Sequence, residues 1–270
     1  QTLTDTSNPI KRIIIGVQFL FVAFGATVLV PLLIDIDPAV ALFTAGVGTL
    51  IFHLITKGKV PVFLGSSFAF IAPIIAATKI YGYPGTLGGI IAVGLVYGIV
   101  SAIIKLWGLR VIEKIFPAVV VGPVIMITGL SLATVGVDMA KTNWPIALSV
   151  LATAIIIVSF TKGLIKLIPI FIGIIVGYII SIIAGLVDFT SVNEAAWFAL
   201  PKFTTPEFNW GAILYMIPVA IAPIIEHIGD MYAISGVAEK KFVKDPGLHR
   251  TILGDGIATA FAGFFGGPPN

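Results

Sequence analysis

The sequence predicts an all-α polytopic membrane protein built on inverted repeats, and three observations carry that prediction. Apolar residues make up 58% of the 270 and charged residues only 11%, with a mean hydropathy of +1.10; soluble domains carry roughly 25% charged residues. The apolar residues gather into runs long enough to cross a bilayer, and the basic residues between the runs segregate to one side. A domain of this length cannot hide so much apolar surface from water. Lipid is therefore the solvent for most of it, and the lipid bilayer is its first partner.

A helix needs roughly 17–25 apolar residues to span hydrocarbon. Nine runs meet that length: roughly 12–34, 39–56, 61–79, 86–107, 114–136, 143–161, 167–187, 210–232 and 250–266. Gln1 to Pro9 is polar and the first run is long enough to span, so no cleavable signal peptide is expected. With the N-terminus inside, every Lys and Arg among the 16 except Lys79, Lys141 and Lys202 falls on the inner side. That bias is the positive-inside rule, and it places the chain in a cell membrane (inner or plasma) with a cytoplasmic N-terminus. Trp107, Trp144, Trp197 and Trp210 lie near span ends, where amphipathic rings prefer to sit. The pI of 9.1 comes from scattered basic residues that form no stripe, so nucleic acid is not an expected partner. The absence of cysteine excludes disulfides and thiolate metal sites.

Seven spans precede a polar, proline-containing outer segment from Asp188 to Asn209. An odd number means that a repeat starting at the eighth span enters from the opposite side, the inverted arrangement of many secondary transporters. The division expected is a first repeat over 1–190, an outer loop over 191–209, and the start of a second repeat over 210–270. Gly and Pro punctuate matching places in the two halves, near Pro61 and at Gly266 to Asn270. Interrupted segments in corresponding positions point to a binding site. The chain starts at Gln1 without methionine and stops within GGPPN, which reads as the opening of a tenth segment, so a fragment is expected.

Within the spans the acids are Glu226, Asp230 and Asp255, and no Lys or Arg joins them. Glu226 and Asp230, four apart in APIIEHIGD, share a helix face. A charged group at depth costs about 2.5–3.5 kcal/mol on insertion scales. Either the two acids are solvated at a water-filled end, or they line an internal cavity. The apolar flanks from Met216 to Ile225 and from Met231 to Ile234 favour the cavity. Withdrawal from water favours the neutral form of a carboxyl group, and a second carboxylate nearby favours it further. A protonated acid both donates and accepts a hydrogen bond, as a lactam or imide requires. Release of that proton to the inside would couple substrate to protons. His227, about 100° round the helix, orients a partner or packs. Asp255, between two glycines, is expected at a cap or facing water.

PVFLGSSFAF, from Pro61 to Phe70, carries Pro61, Gly65 and the nearby Pro73 against an intact helix. Serines bonding back to the preceding turn are the alternative. Non-helical backbone at depth is tolerated only when it is buried in protein or lines a cavity. The freed amides of Ser67 and Phe68 would then meet a planar polar ligand, with Phe68 and Phe70 offering stacking faces. Gly94 and Gly98 form a pair suited to helix packing. There is no phosphate-binding loop, metal-ligand cluster or nucleophile motif, so no cofactor is expected and an enzyme is the remotest reading.

FGATVLVP from Phe24, KGKVPVFLGSSFAF from Lys57, IEHIGD from Ile225, DPGLHR from Asp245 and the terminal GFFGGPPN together resemble the nucleobase–ascorbate transporters (nucleobase–cation symporters), most closely their bacterial uracil permease branch. The resemblance implies two inverted repeats of seven segments, core and gate domains, and short strands in broken segments 3 and 10 with substrate between them. It implies that Glu226 binds the base and is linked to the proton, and that the Phe68 backbone meets the base. The family's other binding acid follows the PPN motif and would lie past Asn270. Some uracil permeases have histidine four residues after the glutamate; here it is Asp230, which changes the hydrogen bonding available for proton coupling.

The function expected is a proton-coupled uracil importer moving by alternating access. Uracil or a related nucleobase and protons are its expected partners, and a second copy of the chain is a candidate partner. The alternatives are xanthine, urate or another base on the same fold, and an anion exchanger or channel, which would need a cationic or helix-N-terminal site at depth.

Overall fold

In a computed structural model the chain is helical throughout its regular parts. The structure describes residues 25–108, 118–162, 168–194 and 199–270, together with residues 114, 165 and 196. The first expected span lies mostly outside the described residues; its end, 25–33, is helical and is termed α1. Then follow α2 (Pro38–Ile55), α3 (Ile71–Trp107), α4 (Ala118–Ala140), α5 (Trp144–Phe160) and α6 (Pro169–Ile183). Further along the chain come α7 (Trp210–Met216), α8 (Ile221–Val237) and α9 (Leu248–Phe265). Among the described residues three stretches are long and apolar enough to cross a membrane: Pro38–Ile55, Phe68–Trp107 and Trp210–Val237.

The chain divides into two compact units. One comprises Gln1–Gly25 and Ala133–Leu200. Within it α5 and α6 pack closely, because Gly173 and Gly177 present bare backbone to Val150. A Cβ on Gly173 would stand 3.3 Å from the Val150 carbonyl oxygen, which is the small-xxx-small device of membrane helix pairs.

The other unit comprises Ala26–Leu132 and Pro201–Asn270. Its centre is α9, packed against α2 and α3. Glycines again set the distance: Gly254 meets Phe52 of α2, Gly256 meets Tyr97 of α3, and Gly94 of α3 meets the carbonyl of Gly256. Small residues on both flanks make α9 the least apolar of the long helices, and most of its residues are buried against neighbouring helices. The expected role of Gly94 in packing is observed, whereas Gly98 faces open space.

Two expectations need adjustment. The third and fourth spans are two helical stretches that meet across a kink at Gly82 (φ 73°, ψ 162°) ahead of Pro84, with no loop between them. The eighth is interrupted by a 3₁₀ turn at Ile217–Ala220, where Pro218 cannot donate to a regular ladder. No strand forms among the described residues. The segment ahead of α3 is extended, as Pro61 and Gly65 predicted, and a 3₁₀ turn at Phe68–Phe70 leads into the helix.

Candidate functional site

The extended segment 60–67 is paired by its neighbours. Thr49 of α2 takes the Leu64 N–H on its hydroxyl at 3.0 Å, and the Thr49 hydroxyl lies 3.4 Å from the Leu64 carbonyl. The Ser67 N–H donates to the Pro269 carbonyl at 3.0 Å. Backbone that is satisfied by other segments can remain non-helical inside a membrane protein. Gly65 fits against the Thr27 hydroxyl, where a Cβ would approach to 3.2 Å.

This segment forms one wall of a cavity of about 340 Å³, near the lower end of small-molecule sites. The facing wall is α8, which contributes Glu226, His227 and Asp230; Asp255 of α9, Phe52 of α2 and Asn270 complete it. Glu226 is half-buried and Asp230 exposed, whereas His227 and Asp255 are only 8% and 6% exposed.

The predicted residues therefore separate. Glu226, His227, Asp230, Ser67 and Phe68 all line the cavity. Phe70 does not: its ring is fully buried in the apolar core beside Ile71 and Ile74. The Ser67 amide is not free for a ligand either, being committed to Pro269, while the Phe68 N–H has no partner among the described residues.

Sequence reasoning placed Asp255 at a cap or in water, and the structure corrects that. Its Oδ2 lies 2.9 Å from His227 Nδ1 in a buried pair linking α9 to α8. The signal available was the pair of flanking glycines, which allow close packing and so carry the side chain between them into protein. The remaining polar atoms of the pair, Asp255 Oδ1 and His227 Nε2, are buried without partners, as are the Tyr97 hydroxyl and the Thr259 Oγ1. Among the described residues no cluster of His, Cys, Asp and Glu is arranged to hold a metal ion.

Chemically, the cavity offers carboxyl groups, backbone and an aromatic face to a small planar polar molecule. It offers no lysine or arginine to an anion.

Comparison with known proteins adds an independent line. A family model described as "Permease family" matches residues 10–270. The chain is 51% identical, over its whole length, to a "Probable uracil permease" of Haemophilus influenzae, of which it covers 67%. It is 50% identical to a "Probable uracil permease" of Pasteurella multocida, with 97% of this chain and 65% of that protein aligned. It is 40% identical to a "Uracil permease" of Escherichia coli K12, with 97% of this chain and 63% of that protein aligned. The chain thus spans about two thirds of the length of these relatives.

Proposed function

The chain belongs to the nucleobase–ascorbate transporter family, and from that premise we propose that it takes part in proton-coupled import of uracil by alternating access. The observation that carries this reading is the placement of Glu226. It stands half-buried on α8, across the cavity from extended backbone at 62–67. A carboxylic acid there can donate to a ring carbonyl and accept from a ring N–H. The lactam and imide edges of uracil present both groups.

Binding and proton coupling then share one atom set. Glu226 holds the base in its protonated form and gives up its proton on the inner side, Asp230 tunes it across one helical turn, and His227 adjoins it. The Phe68 N–H supplies the opposing backbone contact, and the Phe68 ring offers the stacking face. The unit with Ala26–Leu132 and Pro201–Asn270 serves as the core and the other unit as the gate, with two inverted repeats underlying both. The site lies in a cell membrane with the N-terminus in the cytoplasm.

Uptake of radiolabelled uracil under an imposed proton gradient tests this in Glu226→Gln. Loss of gradient-driven uptake is expected, and uptake equal to the unmodified protein would overturn the reading. Competition by xanthine, urate and cytosine assigns the base. An acid at Asp230, where some uracil permeases carry histidine, is the feature that keeps another base in view.

A further inference from the structure

Resting on the transport reading above, a further role falls to a residue outside the Glu226–Asp230 pair. Asp255 is delivered into the interior by its neighbours. A Cβ on Gly254 would stand 2.9 Å from the Phe52 ring, and a Cβ on Gly256 2.5 Å from the Tyr97 Cβ. Both flanks of α9 are therefore tight against other helices, and the carboxyl group between them lies at the cavity wall. There one oxygen meets His227 Nδ1 at 2.9 Å.

An ionised carboxylate accepts and cannot donate, so beside an ionised Asp255 the hydrogen of this contact lies on Nδ1. The lone pair is then confined to Nε2. A carboxylate behind an imidazole also fixes the tautomer and the orientation of its ring. His227 Nε2 is buried and has no hydrogen-bond partner among the described residues, so it is the ring atom that this arrangement leaves open.

We propose that Asp255 is a positioning residue for His227: it sets the tautomer and ring orientation that make Nε2 a proton acceptor beside Glu226. The ionisable groups facing the pair are Glu226 and Asp230 from α8 itself and the Tyr97 hydroxyl from α3. α2 contributes Phe52, and the extended segment contributes only uncharged residues. A proton on Nε2 would make an imidazolium whose charge is balanced by Asp255 at hydrogen-bond distance. Nε2 has no hydrogen-bond partner among the described residues, so the proton that leaves the Glu226 carboxyl reaches it through a bridging water or a small rearrangement of the cavity wall, and charge is conserved.

Nitrogen-15 spectra of histidine-labelled full-length protein test the tautomer without any substitution. A neutral His227 with hydrogen on Nδ1 is expected, and hydrogen on Nε2 would overturn the proposal. Uptake then tests the role, with Asp255→Asn, His227→Gln and the double variant compared across pH. Asp255→Asn is expected to slow uracil uptake by about tenfold or more, in line with the loss of an outer-shell partner, and to change its pH profile while uracil affinity at Glu226 is kept. In the His227→Gln background the same change is expected to cost nothing further. Independent, multiplying effects, or an Asp255→Asn pH profile that overlays the unmodified one, would overturn the proposal. Should Asp255→Asn fail to accumulate, His227→Gln alone must reproduce the altered profile, and an unaltered profile there has the same force. Absence of uracil uptake in the unmodified protein would instead defeat the transport reading, and the histidine spectrum would still decide the tautomer.

Discussion

The backbone N–H of Ser67 donates to the carbonyl of Pro269 at 3.0 Å, joining the extended stretch ahead of α3 to the Gly-Pro stretch after α9. Two segments that each lack a helical ladder thereby satisfy one another at the cavity wall. Ser67 has φ −81° and ψ 127°, angles that proline also adopts. Ser67→Pro therefore removes this N–H with little strain at residue 67 itself. The expected loss is about 1–3 kcal/mol, the cost of leaving the partner unsatisfied, together with loss of uracil uptake. Ser67→Ala keeps the backbone bond and should retain most uptake. Equal effects of the two substitutions in an uptake assay would show that the backbone bond is unimportant.

Gly94 and Gly98, four apart on α3, differ in what they face. A Cβ on Gly94 would lie 2.5 Å from the Gly256 carbonyl oxygen and 2.8 Å from the Ala260 Cβ, whereas nothing lies within 4 Å of one on Gly98. Overpacking typically costs 1–3 kcal/mol, so Gly94→Ala should lower the thermal unfolding midpoint in detergent by about that equivalent. Gly98→Ala should raise it, by up to about 1 kcal/mol, because alanine favours helix over glycine. The opposite signs are the test.

That contrast also marks how far the sequence could be read. Hydropathy located α2, α5, α6 and the Trp210–Val237 stretch because each is an apolar run that leaves several large hydrophobic side chains exposed. Pro61 and Gly65 located the extended segment, since both act locally on the backbone. The kinked, loop-free join at Gly82 was not legible: glycine at positive φ bends a helix or ends it, and only packing decides which. The side-chain directions of Phe70 and Asp255 were not legible for the same reason. One ring points into the core while Phe68, two residues earlier, lines the cavity. Asp255 is held by a histidine 28 positions away, a contact that periodicity within one helix does not encode.

At the start of α2, Asp37 has two tasks. Its Oδ1 caps α2 by accepting from the Ala39 N–H at 2.9 Å, and its Oδ2 accepts from the Lys202 N–H at 3.2 Å. The stretch after Pro201 is held along the same surface by Glu207 N–H to the Pro84 carbonyl and by Phe203 against Phe43 and Phe265. Asp37→Ala should cost about 1 kcal/mol through the lost cap alone, and should speed proteolysis between Pro201 and Glu207. Asp37→Asn keeps an acceptor at the cap and should come close to the unmodified protein. Identical proteolysis rates for all three would mean that Asp37 does not hold this stretch.

Tyr97 is the largest fully buried side chain, and its hydroxyl has no hydrogen-bond partner. Its ring packs beneath Gly256 on α9, so the aromatic body fills space that no smaller residue would fill. A buried hydroxyl without a partner carries a desolvation cost of about 1–3 kcal/mol on the scale of protein substitutions. Tyr97→Phe keeps the ring and removes that cost, so it should raise the unfolding midpoint. Tyr97→Ala should lower stability by about 3–5 kcal/mol by opening a cavity between α3 and α9. A fall in midpoint for Tyr97→Phe would mean that the hydroxyl is engaged in the working protein, with Asp255 Oδ1, also unpartnered and buried, as the acceptor to test by the double variant with Asp255→Asn.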